Sequence, residues 1–386
     1  MNWRIILQHI RDRKVPPMGL VPEPMLNLLA SMAGLRGRFQ ELSNLERMLI
    51  TLCHKEPDRV PVTPILCSGA RQISGITFPD FALDAEKAAR VYLDGFEFVG
   101  GDAVVLLLDL SVEAADFGQA MVYPERSTPQ PDYNRPMLTG HEDYRKVKPV
   151  RLSDARRMSE FVKLCRIMVE KVGWRSIVSG FVFGPLGVLN MMRGAEHLFK
   201  DCLLYPNDVK AACETITGVL IEYVQAQCAA GVPAVAIDTL FASRSALPKD
   251  VWEDIEGPFA REISRAIKAT GHLVGIHNCG DAPYFDAQIR SMEPEFISFG
   301  RLPDDCQTPQ EMKQKYGDQT TLLGYVPTAL LVHGTPKEVM DEAKRQIDVL
   351  APGGGFILAP ECEYPPNIPL TNAFALIKAA KTYGRK

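Results

Sequence analysis

The stretch Leu273–Asp281, LVGIHNCGD, decides how this chain is read. Apolar Leu273, Val274 and Ile276 run directly into His277, Cys279 and Gly280, the pattern of a buried strand passing into a loop. A second stretch of the same kind, GGGFILAPECEYPP at Gly353–Pro366, carries Cys362. On an extended backbone, residues two apart point to the same side, roughly 7 Å apart along the strand. His277 and Cys279 can therefore face one ion through bonds of about 2.0–2.3 Å, and Cys362 would complete a Cys₂His set of the kind associated with catalytic zinc and an open fourth position. Taken singly, each residue reads more simply as a core cysteine or a satisfied loop histidine. Two strand ends supplying the same ligand class favour the metal.

Working outward, eight short apolar runs read as strands: Val60–Cys67, Ala103–Leu108, Ser176–Phe181, Ala234–Ile237, His272–Ile276, Glu295–Phe299, Thr320–Gly324 and Gly355–Leu358. Helical spacing separates them, as at Val209, Ala212, Ile216, Val219, Leu220 and Val224. Thr308-Pro309-Gln310-Glu311 and Thr335-Pro336-Lys337-Glu338 read as capping boxes with Pro at the first helical position. Continuous apolar strands alternating with helices indicate a parallel sheet covered on its faces. The expected fold is an α/β (β/α)8 TIM barrel, residues 44–386, preceded by a basic, partly helical extension, residues 1–43, broken by Pro16, Pro17, Pro22 and Pro24. A long excursion, Leu110 to Gly173, reads as an insertion after the second strand at the barrel mouth, where specificity resides.

Bulk properties exclude several classes of function. The chain has 386 residues, 46% hydrophobic and 23% charged, with a net charge of −4. That balance offers no general attraction to nucleic acid or to an anionic membrane. No apolar run approaches the roughly 20 residues needed to span a bilayer. The N-terminus lacks the apolar core and small-residue cleavage site of a secretory signal, and Asp12 argues against a transit peptide. Nine cysteines without a CxxC point to a reduced, cytoplasmic setting. Cys165, Cys202, Cys213 and Cys228 fall in helical sequence and read as structural.

In a barrel, strand C-termini face the catalytic mouth. His277 and Cys279 follow the fifth expected strand and Cys362 the eighth, so all three should converge there. Zn²⁺ with two thiolates and a neutral imidazole sums to zero, a centre suited to group transfer: it keeps a bound thiolate nucleophilic or polarises an ether or carbonyl oxygen. A fourth ligand is not evident. Glu361 should point away from Cys362, Glu295 lies at the wrong end of its strand, and Asp304 and Asp305 are loop candidates. Asp109 ends the second strand and Asp238 the fourth; each is a candidate catalytic residue or a helix cap. Tyr325, after the seventh strand, is a candidate substrate contact or a packing aromatic. Gly184-Pro185 reads as a tight turn, as does Gly353–Gly355, which precedes a strand rather than opening a helix.

From about Leu42 onward the chain resembles the uroporphyrinogen decarboxylase superfamily, within it the zinc- and corrinoid-dependent methyltransferase branch. The segments that carry the resemblance are GGDAVVLLLDLSVEAADFG, SGFVFGPLGVLNMMRGAE, AIDTLFAS, VGIHNCGD, LLGYVP and FILAPECEYPPNIPLTNAFALI. The branch's His-x-Cys…Cys motif falls on His277, Cys279 and Cys362. The resemblance implies a barrel that docks a separate corrinoid protein, the carrier of cobalamin, and moves a methyl group to or from its cobalt. The extension and the mouth insertion favour a donor-side enzyme that demethylates a methoxylated aromatic. The alternatives are a methylcobalamin:thiol enzyme of the coenzyme M type, a uroporphyrinogen decarboxylase and a non-catalytic scaffold for the corrinoid protein. Decarboxylases hold an acidic tetrapyrrole with an arginine-rich segment after the first strand; here ILCSGARQISG offers Arg71 alone, although Asp109 falls near their acidic residue. Self-association is left open.

Overall fold

A computed structural model of the chain describes Gln8, Arg11 and residues 16–385. The readings made above on the first 15 residues therefore lie, apart from Gln8 and Arg11, outside the described residues. Nine strands occur in chain order: β1 Ala103–Val105, β2 Met121–Val122, β3 Gln130–Pro131, β4 Ile177–Phe183, β5 Ala234–Asp238, β6 Leu273–Asn278, β7 Phe296–Phe299, β8 Thr321–Val326 and β9 Phe356–Pro360. Seven of them form one curled parallel sheet in the order β1-β4-β5-β6-β7-β8-β9, with helices between successive strands. The strands are buried nearly throughout, as a sheet covered on both faces requires.

The eighth strand expected at Val60–Cys67 does not form, so the ladder is not closed. Pro61 and Pro64 remove two of its amide donors, and Cys67 already begins a 3₁₀ turn, Cys67–Ala70. What lies beside β9 is a single bridge, Val62 to Leu358, with Thr63 N donating to Leu358 O at 2.9 Å and Leu358 N to Pro61 O at 2.9 Å. On its other flank this segment accepts from Asp102 N at Val62 O, 2.8 Å. The Asp102 carboxylate is wholly buried and takes Val62 N (2.8 Å), Arg59 Nη1 (2.8 Å) and Nη2 (3.0 Å), and Arg47 Nη1 (2.7 Å). A buried carboxylate held by two guanidiniums thus supplies at this seam what a ladder of amides supplies elsewhere.

Local signals explain most helix ends. Ser43 with Glu46 and Thr335 with Glu338 form reciprocal capping boxes. At Thr308 only half of the expected box forms: its hydroxyl takes Glu311 N at 3.2 Å, but the Glu311 carboxylate turns to Gln307 N at 2.6 Å. The predicted inward positions of the helix Pro206–Ala229 are all buried. Pro24 does not break the helix Glu23–Arg36; it sits in the first turn, where a missing N–H costs nothing. Gly353, Gly354 and Gly355 all take positive φ (81°, 82° and 66°), and a Cβ on Gly354 would lie 2.5 Å from the backbone of Lys55. Only glycine fits that turn into β9. The excursion after β1 folds into the short helix Val112–Asp116, the hairpin β2–β3 and the helix Arg156–Val172. Asn367, in the loop after β9, donates to Arg126 O at 3.0 Å, joining that hairpin's turn to the loop that follows Cys362.

Candidate metal centre and apolar cavity

β6 ends in His277 and Asn278, and Cys279 follows at once; Cys362 lies two residues beyond β9. Although these strands stand three places apart in the sheet, curvature brings their ends together. The ligand atoms of His277, Cys279 and Cys362 all lie within 4.8 Å of one another, and each residue is partly exposed. That convergence is the one the sequence predicts.

Two neighbours hold the motif in shape. His277 Nδ1 sits 3.0 Å from Ser298 Oγ on β7, leaving the other ring nitrogen to the two sulfurs. Asn278 points to the opposite side, as alternation demands, and is fully buried. Its Nδ2 donates to Thr239 O (3.1 Å) and Ala242 O (3.0 Å), while its Oδ1 accepts from Gly280 N (3.0 Å). The tripeptide is thus bolted to the loop after β5. Sequence reasoning missed Ser298 and did not use Asn278, although its place between the two ligands was the available signal.

Burial works against a charged His277, yet its contact with Cys362 and the sulfur's negative charge outweigh that and raise the imidazolium to about 9. Contact with Cys279 and then burial push the Cys362 thiol up. Three soft and borderline donors that share protons in the absence of an ion, and that one ion could bridge, fit a divalent metal such as zinc.

A cavity of about 170 Å³ opens beside this cluster, lined by apolar side chains together with Asn190, Asp238, His277, Cys279, Ser298, Cys362 and Glu363. Asp238 is paired with His277 across the β5–β6 register. One of its oxygens caps Leu240 N at 2.9 Å, and burial raises its carboxyl above the ordinary range. Glu363, which sequence reasoning overlooked, is raised to about 7 by burial and by the charge of Asp109. Asp109 is not among the lining residues: its carboxylate is committed to Arg157 and to Ser111 N, at 2.9 Å from the latter. Arg157 in turn donates to Tyr123 OH at 3.0 Å. Tyr325 also stays outside the cavity, stacked on Phe299 with ring centres 5.1 Å apart and beside Arg345.

The candidate further ligands are occupied elsewhere. Glu361 takes Arg301 and Thr328 N and Oγ1, and Glu295 takes Val274 N. Asp304 and Asp305 group with Asp286, where Lys249, Lys315 and Tyr316 satisfy them. They are not placed with the His277 cluster, because a salt-bridged loop holds them with their own cations. Cys165, Cys202, Cys213 and Cys228 are buried free thiols in helices, their pKa values raised by burial.

Curled parallel α/β sheet, helices outside, and a ligand cluster at the strand C-termini define a TIM-barrel-like protein with its site at the sheet's carboxyl end. The chain belongs to the uroporphyrinogen decarboxylase (URO-D) family, whose profile matches residues 43–383. Within that superfamily it falls in the methyltransferase branch. It is 24% identical over 347 residues to methylcobamide:CoM methyltransferase MtbA of Methanosarcina acetivorans, covering 89% of this chain and 99% of that protein. It is also 25% identical over 320 residues to uroporphyrinogen decarboxylase of Helicobacter pylori, covering 80% and 89%. A solved structure of a methyltransferase from Methanosarcina mazei superposes with a TM-score of 0.71 at 22% identity, over 88% of this chain and 99% of that one. No helix among the described residues is long and apolar enough to cross a membrane.

Proposed function

We propose that residues 44–386 act as a methyltransferase that moves a methyl group between a small molecule and a separate corrinoid protein, with zinc held by His277, Cys279 and Cys362. The observation that carries this reading is the meeting of those three donors within 4.8 Å beside an apolar cavity. Bound zinc would supply Lewis acidity, holding a thiolate or polarising an ether oxygen. Ser298 fixes the imidazole so that one ring nitrogen faces the sulfurs. Asn278 keeps the loop between the ligands rigid. Asp238, beside His277 and lining the same cavity, is the group we assign to take up or return a proton, its second oxygen having no hydrogen-bond partner among the described residues. The apolar walls exclude water, which strengthens each of these interactions.

The relatives named as methylcobamide:CoM methyltransferases support a thiol acceptor. The family match spans residues 43–383, which takes in the mouth excursion, so the excursion by itself is no argument for a donor-side enzyme. Demethylation of a methoxylated aromatic remains the second reading, supported by the ring-bearing side chains Phe181, Phe183 and Phe241 on the cavity wall. Decarboxylation of a porphyrinogen is poorly served: Arg71 lies over the Phe78 ring, 3.3 Å from its centre, and is not among the lining residues. The test is metal analysis of the purified chain together with methyl transfer from methylcobalamin to a thiol, followed by cobalamin absorbance. About one zinc per chain is expected, with zinc and transfer both lost in Cys362→Ala. Full activity in metal-free protein would sink the reading.

A further inference from the structure

The cavity beside His277 measures about 170 Å³. An engineered cavity of about 150 Å³ lined by Leu, Ile and Phe holds benzene, so this one has room for a single ring with a small substituent. Its walls carry Leu107, Leu110, Phe181, Phe183, Phe241 and Leu323. Apart from the donor cluster, its polar lining is Asn190, Ser298 and two carboxylates, Asp238 and Glu363. No lysine or arginine is present among the described lining residues.

Two arginines of the surrounding fold, Arg157 and Arg301, are held by other partners. Asp109 and Tyr123 hold Arg157, and Glu361 holds Arg301. A buried sulfonate or carboxylate needs charge-assisted donors to replace its lost water. Here the described lining offers no lysine or arginine to supply them.

We infer that the small-molecule site selects an uncharged methyl carrier of single-ring size or less, an aryl methyl ether or a neutral thiol, and rejects acids. The inference rests on the methyl-transfer reading and narrows it. Coenzyme M, the thiol in the names of the curated relatives, bears a sulfonate and would be a poor partner for this cavity.

Two matched pairs isolate the charge: 2-methoxyphenol against 2-methoxybenzoate, and 2-mercaptoethanol against 2-mercaptoethanesulfonate. Each would be titrated calorimetrically into the zinc-loaded full chain, and the ether pair also into Cys362→Ala. The uncharged member of each pair should bind at least about tenfold tighter. Leu110→Arg, at the partly exposed rim, should raise the affinity for both acids several-fold. An acid that binds as tightly as its neutral twin, or the failure of all four to bind, overturns the inference. Metal content and methyl transfer are measured on the same samples. Acid preference in a zinc-bearing, active protein removes only the charge inference, whereas a chain that takes no zinc and transfers nothing removes the underlying function.

Discussion

Asn278→Ala should disable the site without touching a ligand. The side chain is fully buried and makes three hydrogen bonds, two donated and one accepted. Truncation leaves Thr239 O, Ala242 O and Gly280 N without this partner. At about 1 kcal/mol for each bond, with more for a stranded N–H, the loss is roughly 3–4 kcal/mol. That is a large part of the 5–15 kcal/mol typical of a domain. The same loop sets the spacing of His277 and Cys279, so zinc affinity should fall at least about tenfold, as for other residues that orient ligands. Urea unfolding of the metal-free chain measures the first effect, and competition with a chromophoric chelator the second. Asn278→Asp provides an internal control. It retains an acceptor for Gly280 N but turns a carboxylate on two carbonyl oxygens, so at neutral pH it should be at least as damaging as alanine and should recover partly in acid. Stability within about 0.5 kcal/mol of the parent, with zinc affinity unchanged, would refute the argument.

Ser298→Ala should lower zinc affinity about 10–100-fold while leaving global stability nearly intact, because it frees the imidazole ring but strands no charge; chelator competition against circular-dichroism melting separates the two. Asp102→Ala leaves Arg47 and Arg59 facing each other without their shared anion and should cost about 3–5 kcal/mol, read by urea midpoint; an unchanged midpoint would mean the seam beside Val62 is held by packing alone. Glu256 is buried and raised to about 8, and Glu113 to about 7. Folded protein therefore holds more protons than unfolded protein between about pH 4.5 and 8, and their contribution to stability declines as pH rises through that window. Glu256→Gln should flatten the upper part of that decline, and a pH series of thermal melts that keeps its slope in the variant would contradict the assignment.

Much of the fold was legible because strand and helix signals are local. Seven of eight strands lie where apolar runs placed them, and capping residues marked helix starts, since a side chain three residues away can satisfy an end amide. The exception is instructive. Val60–Cys67 has strand composition, but two prolines cost it amide donors, and the compensating Asp102 carboxylate lies some forty residues on, invisible to a local reading. The strand at Ala103 likewise ends at Val105 rather than Leu108.

The site divides in the same way. The meeting of His277, Cys279 and Cys362 was legible because donors of these types at strand ends stand out in sequence and because a barrel gathers its strand ends. The roles of their neighbours were not. Asp109 and Asp238 look alike in sequence, each an acidic residue after an apolar run. One is neutralised by Arg157, from the excursion's last helix, and the other lines the cavity. Tyr325 faces Phe299 and Arg345 instead of the cavity.

The sequence by itself determined the parallel α/β architecture and pointed to His277, Cys279 and Cys362 as one donor cluster, since periodicity and donor chemistry belong to residue types and short spacings. Only the tertiary structure decided the cavity's size, the absence of lysine and arginine from its described lining, the partners of each buried charge and the packing of Ser298 against His277. Those depend on which residues distant in the chain share one low-dielectric space, and free energy there is set by contacts that no local pattern encodes.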